Sequence, residues 1–233
     1  MAGLKRAPRR ARVYGCSGEE SQISPLCPPF KPKSLHVQIQ PRTSLLISPE
    51  DYLAGEAASP IRHEYVAGEV FAMASATEEH ATIAGNLFAL LRSQVRGGPC
   101  RVYIADMKLR VEAADAFFYP DVLVTCDARD AAEPLAKRHP SPICEVLSES
   151  TEAYDRGGKF AAYRTLDSLS EYLLTDSRRR ALEVFRRQPD GWLLTPVAPN
   201  GWLELSSFGF RCAVDALYED VLFPSPANLT GPP

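Results

Sequence analysis

The run Tyr119-Pro120-Asp121-Val122-Leu123-Val124-Thr125-Cys126-Asp127 is followed, past a polar segment, by Pro142-Ile143-Cys144-Glu145-Val146-Leu147-Ser148. Asp155-Arg156-Gly157-Gly158-Lys159-Phe160-Ala161-Ala162-Tyr163 comes next. The first two runs are short, apolar and rich in β-branched residues, and each carries one carboxylate, Asp121 or Glu145. A carboxylate inside Ile-Cys-Glu-Val-Leu is costly to bury without a partner, and a metal ion or a cationic side chain would compensate. Two strand acids with a lysine close behind suit a divalent cation that activates water against a phosphodiester. The plainer alternative puts both acids at strand ends, facing water or pairing with arginines.

Outward from that stretch, the pattern alternates between helix and strand. On the N-terminal side, Ser48-Pro49-Glu50-Asp51 offers a capping serine, proline at the first helical position and acids in the first turn, so a short helix is expected up to Ser59-Pro60. His63–Met73 reads as two strands around Ala67-Gly68, a tight hairpin. Thr77 caps a longer helix whose His80, Ala84, Leu87, Phe88, Leu91 and Val95 recur at three- and four-residue spacing. Gly97-Gly98-Pro99 ends it. From Arg101 the period becomes two, with Met107, Leu109 and Val111 against Asp106, Lys108 and Arg110.

Phe117–Cys126 is apolar on both faces, as a central strand would be. Residues 127–141 are expected to form a loop and 157–167 a helix. Strands follow at 171–175, 182–187, 192–197 and 202–205, and a last short helix at 214–221. The order implies an α+β or α/β fold, a mixed β-sheet flanked by helices.

Composition sets the bounds. The chain has 233 residues, 45% hydrophobic and 24% charged, as in ordinary globular proteins. No apolar run approaches the roughly 18 residues of a membrane span, and no apolar stretch follows the basic start. Residues 1–44 are basic and proline-rich, with a net charge of +6 against −9 for the rest. They read as a disordered extension or a basic arm, 45–223 as the folded domain and 224–233 as a frayed tail. An acidic body counts mildly against tight DNA binding. The six cysteines contain no C-x-x-C pair, so neither a zinc site nor a disulfide framework is expected. Cys126 and Cys144 read as buried thiols, and a cytoplasmic location is the default.

The sequence resembles the Uma family of putative restriction endonucleases, within the PD-(D/E)XK nuclease superfamily, over about residues 44–222. The resemblance rests on His63–Val70, the His80…Asn86-Leu87 helix, Asp106-Met107, Tyr119-Pro120-Asp121, Glu145-Val146-Leu147-Ser148 and Asp155…Lys159…Tyr163. It implies that Asp121 and Glu145 are metal ligands, with the Val146 carbonyl as a third oxygen, and that the metal is Mg²⁺ or Mn²⁺. It implies DNA as the partner and an early acid completing the site, for which Glu69 is the candidate.

The superfamily lysine would stand two residues after the glutamate, where this chain has Leu147. Lys159 is the substitute, sharing a helix face with Asp155 and Tyr163. Tyr163 and His80 are candidate supporting groups, although a satisfied core histidine is the plainer reading of His80. Arg178, Arg179 and Arg180 could touch phosphates or simply be solvated. Two functions remain open: a metal-dependent DNA endonuclease, or a nuclease-fold module without catalysis that binds nucleic acid or assembles; a homo-oligomer is open in either case. A serine hydrolase lacks its nucleophile motif.

Overall fold

The computed structural model describes residues 46–223. The proposed N-terminal extension and C-terminal tail lie outside the described residues. Helix α1 (Pro49–Ala58) is capped by the Ser48 hydroxyl, which accepts the Asp51 N–H. Strands β1 (His63–Val66) and β2 (Glu69–Ala72) form the expected hairpin. Its turn residues Ala67 and Gly68 both have positive φ, 48° and 91°. Gly68 is required there, because a Cβ would stand 2.7 Å from that of Leu46. Helix α2 (Glu78–Gln94) is capped by Thr77, again as the sequence reads.

Strands β3 (Arg101–Ile104), β4 (Lys108–Val111), β5 (Ala116–Phe118) and β6 (Val122–Thr125) follow, then helix α3 (Ala128–Ala131), β7 (Ala136–Lys137) and β8 (Pro142–Leu147). Helix α4 (Glu152–Tyr154) runs through a π-helical turn, Asp155–Lys159, into α5 (Phe160–Tyr163). The chain closes with β9 (Glu171–Asp176), β10 (Leu182–Gln188), β11 (Gly191–Val197), β12 (Trp202–Leu205), β13 (Phe210–Ala213) and α6 (Val214–Leu217).

The fold is mixed α/β, with helices flanking mixed sheets. One sheet has the order β2-β1-β5-β4-β7 and the other β11-β10-β9-β8-β6-β3, while β12 and β13 pair alone. All pairs in the six-stranded sheet are antiparallel except β8–β9. Alternation sorts its side chains into two cores. Val122, Val124, Cys144 and Val146 pack with Ile83, Leu87 and Leu91 of α2. Leu123, Ile143 and Leu147 face Leu109 and Phe118 of the other sheet, with Tyr163 of α5. Each fully buried leucine or isoleucine here contributes about 1.5–3 kcal/mol.

Several expectations are corrected. The run Phe117–Cys126 is not one strand: it breaks at Tyr119-Pro120, and its halves β5 and β6 belong to different sheets. Pro120 has no N–H to give a ladder, so the chain crosses between layers there. The loop 127–141 contains α3 and β7, and the helix expected at 157–167 runs from 152 to 163. Strand β13 was absent from the sequence reading. Cys126 is exposed, not buried, and forms a disulfide with Cys100. The β3–β6 register pairs Arg101 with Thr125, which sets the two cysteines opposite each other. Spacing along the chain carries no trace of that pairing. Cys144 is a buried free thiol, as expected. Among the described residues, no helix is long and apolar enough to cross a membrane.

Candidate active site

Strands β6 and β8 are antiparallel neighbours, with Val122 opposite Cys144. Asp121 therefore sits at the mouth of β6, beside Glu145. The backbone locks the two acids together: the Asp121 N–H donates to Glu145 Oε2 at 3.0 Å, and the Val146 N–H donates to Asp121 Oδ2 at 2.7 Å. Glu145 shares its strand face with Ile143 and Leu147, the face covered by α5. There the Tyr163 hydroxyl donates to Glu145 Oε1 at 2.8 Å.

Lys159 enters from the π turn. Its Nζ lies 3.0 Å from Glu64 Oε1, 3.4 Å from Glu145 Oε1 and 3.4 Å from Asp155 Oδ1. π turns are rare and gather at functional sites. The turn contains Gly157 and Gly158, and a Cβ on Gly158 would stand 2.5 Å from the Tyr154 ring. Tyr172 donates its hydroxyl to the Asp155 carbonyl at 3.0 Å, which pins the start of the same turn.

Acids outnumber cations in this cluster. Burial pushes the Glu145 carboxyl well above the usual range, against the pull of Lys159. Asp155 is raised for the same reason. Burial alone would lower Lys159, but Glu145, Glu64 and Asp155 hold its proton and raise it well above an ordinary lysine. Burial is the larger cause for the two acids and neighbouring carboxylates add to it, whereas for Lys159 the carboxylates overcome burial. Asp155 Oδ1 is buried and, among the described residues, makes no hydrogen bond.

His80, in the first turn of α2, places Nε2 3.3 Å from Asp121 Oδ2. Burial favours its neutral form, yet the hydrogen bond and charge of Asp121 outweigh that and raise its pKa.

Asp121, Glu145, Lys159, Tyr163 and His80 thus meet in one cluster. Glu69 does not join it: it is exposed on β2, opposite Val66 at the hairpin turn. The hairpin acid that arrives is Glu64, on β1, which is 8% exposed and also accepts the Tyr119 N–H at 3.4 Å. Sequence reading missed Glu64. Its signal lies in His63-Glu64-Tyr65-Val66, where an acid shares a strand face with a half-buried valine.

The three turn arginines are committed elsewhere. Arg178 pairs with Asp176 and Glu152, Arg179 with Asp176, and Arg180 with Asp215.

Comparison with known proteins agrees with this architecture. A curated protein of Synechocystis sp. (strain ATCC 27184 / PCC 6803 / Kazusa), "Uncharacterized protein slr1290", is 37% identical over 178 residues, covering 76% of this chain and 94% of its own. A second from the same organism, "Uncharacterized protein sll1609", is 32% identical over 168 residues, covering 70% and 95%. A crystal structure from Anabaena variabilis ATCC 29413, titled as a "putative nuclease belonging to DUF820", superposes with a TM-score of 0.61 at 16% identity. The match covers 76% of this chain and 99% of that one, so the fold is shared. Residues 49–215 match the model of the Uma2 family, described as "Putative restriction endonuclease", and the chain belongs to that family.

Proposed function

We propose that this protein is a divalent-metal-dependent endonuclease that hydrolyses DNA phosphodiester bonds. The observation that carries the reading is the convergence of Asp121 and Glu145, from neighbouring strands, with Lys159 from the adjoining π turn. Among the described residues, no three His, Cys, Asp or Glu side chains stand in a ready ligand arrangement. Lys159 and His80 lie against the acids instead. The donor chemistry nonetheless fits Mg²⁺ or Mn²⁺: two carboxylates and the Val146 carbonyl are hard oxygens, and Asp155 Oδ1, 3.4 Å from Lys159 Nζ, is buried with no hydrogen bond among the described residues. Once bound, the ion would lower the pKa of a water and offset charge on the phosphate.

The chain's own groups supply the rest. Asp121 and Glu145 are fixed by backbone hydrogen bonds, so their carboxylates need no reorganisation. Lys159 is held as an ammonium by its carboxylates, so it donates hydrogen bonds and does not abstract a proton. Its role is to orient the attacking water and to stabilise charge developing on the phosphate oxygens. Tyr163 fixes the Glu145 rotamer through its hydroxyl.

The test is nicking of supercoiled plasmid in Mg²⁺ and in Mn²⁺. The parent should nick, and Glu145→Ala should lose about two to three orders of magnitude in rate, as when a preorganised charged group is removed. Folded parent protein that leaves the plasmid intact with either ion would sink the reading. It would favour a nuclease-fold module without catalysis, which Leu147 at the usual lysine position and the acidic body also support.

A further inference from the structure

The oxygens that would receive the cation are already in use. Asp121 Oδ2 is approached by His80 Nε2 at 3.3 Å, and the same oxygen accepts the Val146 N–H at 2.7 Å. That is a carboxylate assigned above as a metal ligand. The ring reaches it from the first turn of α2, where the Thr77 hydroxyl holds the His80 N–H at 3.3 Å. The side chain keeps 16% of its surface in contact with solvent, so it has an outward path. Lys159 treats the other acids in a similar way, standing among Glu64, Glu145 and Asp155.

We propose that His80 is a built-in competitor for the metal: its imidazole occupies the Asp121 carboxylate, and a divalent cation binds only when the ring swings away. The proposal rests on the metal-dependent reading of the site. The opposite role would make His80 a ligand, and the two roles differ in sign. Mg²⁺ takes oxygen ligands and keeps its waters, whereas imidazole suits softer ions. A competitor lowers affinity for every divalent ion by the fraction of time the seat is free, and removing it restores that factor. A ligand raises affinity, and more for Mn²⁺ than for Mg²⁺.

Calorimetric titration of Mg²⁺ and of Mn²⁺ into the full chain, at one fixed pH, separates the two. His80→Ala should tighten both ions by about tenfold, the factor for a seat filled about nine-tenths of the time. His80→Asn, shorter but still polar, should fall between that variant and the parent. This second variant keeps the test alive if the first folds poorly. Unchanged or weaker binding in both His80 variants overturns the proposal. Asp121→Asn separates the two levels of the argument. If the parent binds and Asp121→Asn does not, the metal reading stands whatever His80 does. If neither the parent nor the His80 variants bind either ion, the metal reading and the competitor fall together.

Discussion

Tyr119 touches two sites of buried carboxylate, giving its hydroxyl to Glu56 and its N–H to Glu64, and the two are built on opposite principles. In the first, Glu56 of α1 is 4% exposed and meets only donors: the His63 N–H at 3.0 Å, His63 Nδ1 at 3.0 Å and the Tyr119 hydroxyl at 2.8 Å. Burial pushes its pKa up, but these donors outweigh burial and hold it below the usual carboxylate range. In the second, Glu64, Asp121, Glu145 and Asp155 share Lys159 and His80, and Glu145 and Asp155 are pushed up. One acid with donors to spare staples a helix to a sheet. Four acids around Lys159 and the His80 imidazole are less fully compensated, which is the condition the proposed metal reading requires. The contrast distinguishes a structural carboxylate from a candidate catalytic one more sharply than burial does.

The largest effect that can break this contrast is Lys159→Met. Removing the one ammonium that the described residues place among three buried carboxylates should cost about 3–5 kcal/mol near neutral pH. The sign with pH follows from the raised pKa of Glu145 and Asp155. A carboxyl whose folded pKa is raised contributes fully below its unfolded value and loses that contribution as pH rises through the folded one. The melting-temperature gap to the parent should therefore be wider at about pH 8 than at about pH 5. A gap of constant width would mean that the acids are not crowded.

Glu56→Gln tests the other side, with an expected cost of about 2–3 kcal/mol, because an amide N–H₂ then faces donors. Here the folded pKa is depressed, so the contribution is present above the ordinary carboxylate range and is lost as pH falls through the folded value. Denaturant melts of parent and variant should differ most at neutral pH and converge as pH falls below the ordinary carboxylate range. Nicking activity, where the parent shows it, should stay within about twofold.

The two clusters were not equally legible in the sequence. Asp121, Glu145 and Lys159 stand out because a charge in an apolar run is anomalous on its face. The helix caps at Ser48 and Thr77 and the Ala67-Gly68 turn are local chemistry, and they fold as read. Glu64 left only the faint signal of a shared face with Val66, and Glu56 left none, because each sits in a segment of mixed polarity and only the packing of β1 against β5 and α1 buries it. The division of Phe117–Cys126 between two sheets failed similarly. Apolar continuity reports burial and not which sheet a strand joins. Cys100 and Cys126 meet through the register of β3 and β6, which no local pattern encodes.

A matched pair of substitutions sharpens the comparison at intermediate size. Tyr119→Phe and Tyr163→Phe each delete one hydroxyl 2.8 Å from a buried carboxylate. Each should cost about 1.5–2 kcal/mol, as for a hydrogen bond to a charged group. Only Tyr163→Phe should also slow nicking, by about tenfold, since Glu145 then loses the donor that fixes it. Equal effects on nicking would remove the distinction between the two acids.

The smallest effect is the most discriminating. Asp155→Asn removes a charge from the crowded cluster, and its Oδ1 makes no hydrogen bond among the described residues, so no such bond is lost at that atom. Relief of like-charge repulsion offsets the weakened hold on Lys159, and stability should change by less than about 1 kcal/mol, in either direction. Loss of an acid at Glu56 should cost more than twice that. Should thermal melts show Asp155→Asn as damaging as Glu56→Gln, Asp155 would be a structural staple too, and the excess of acid around Lys159 would no longer support the proposed cation site.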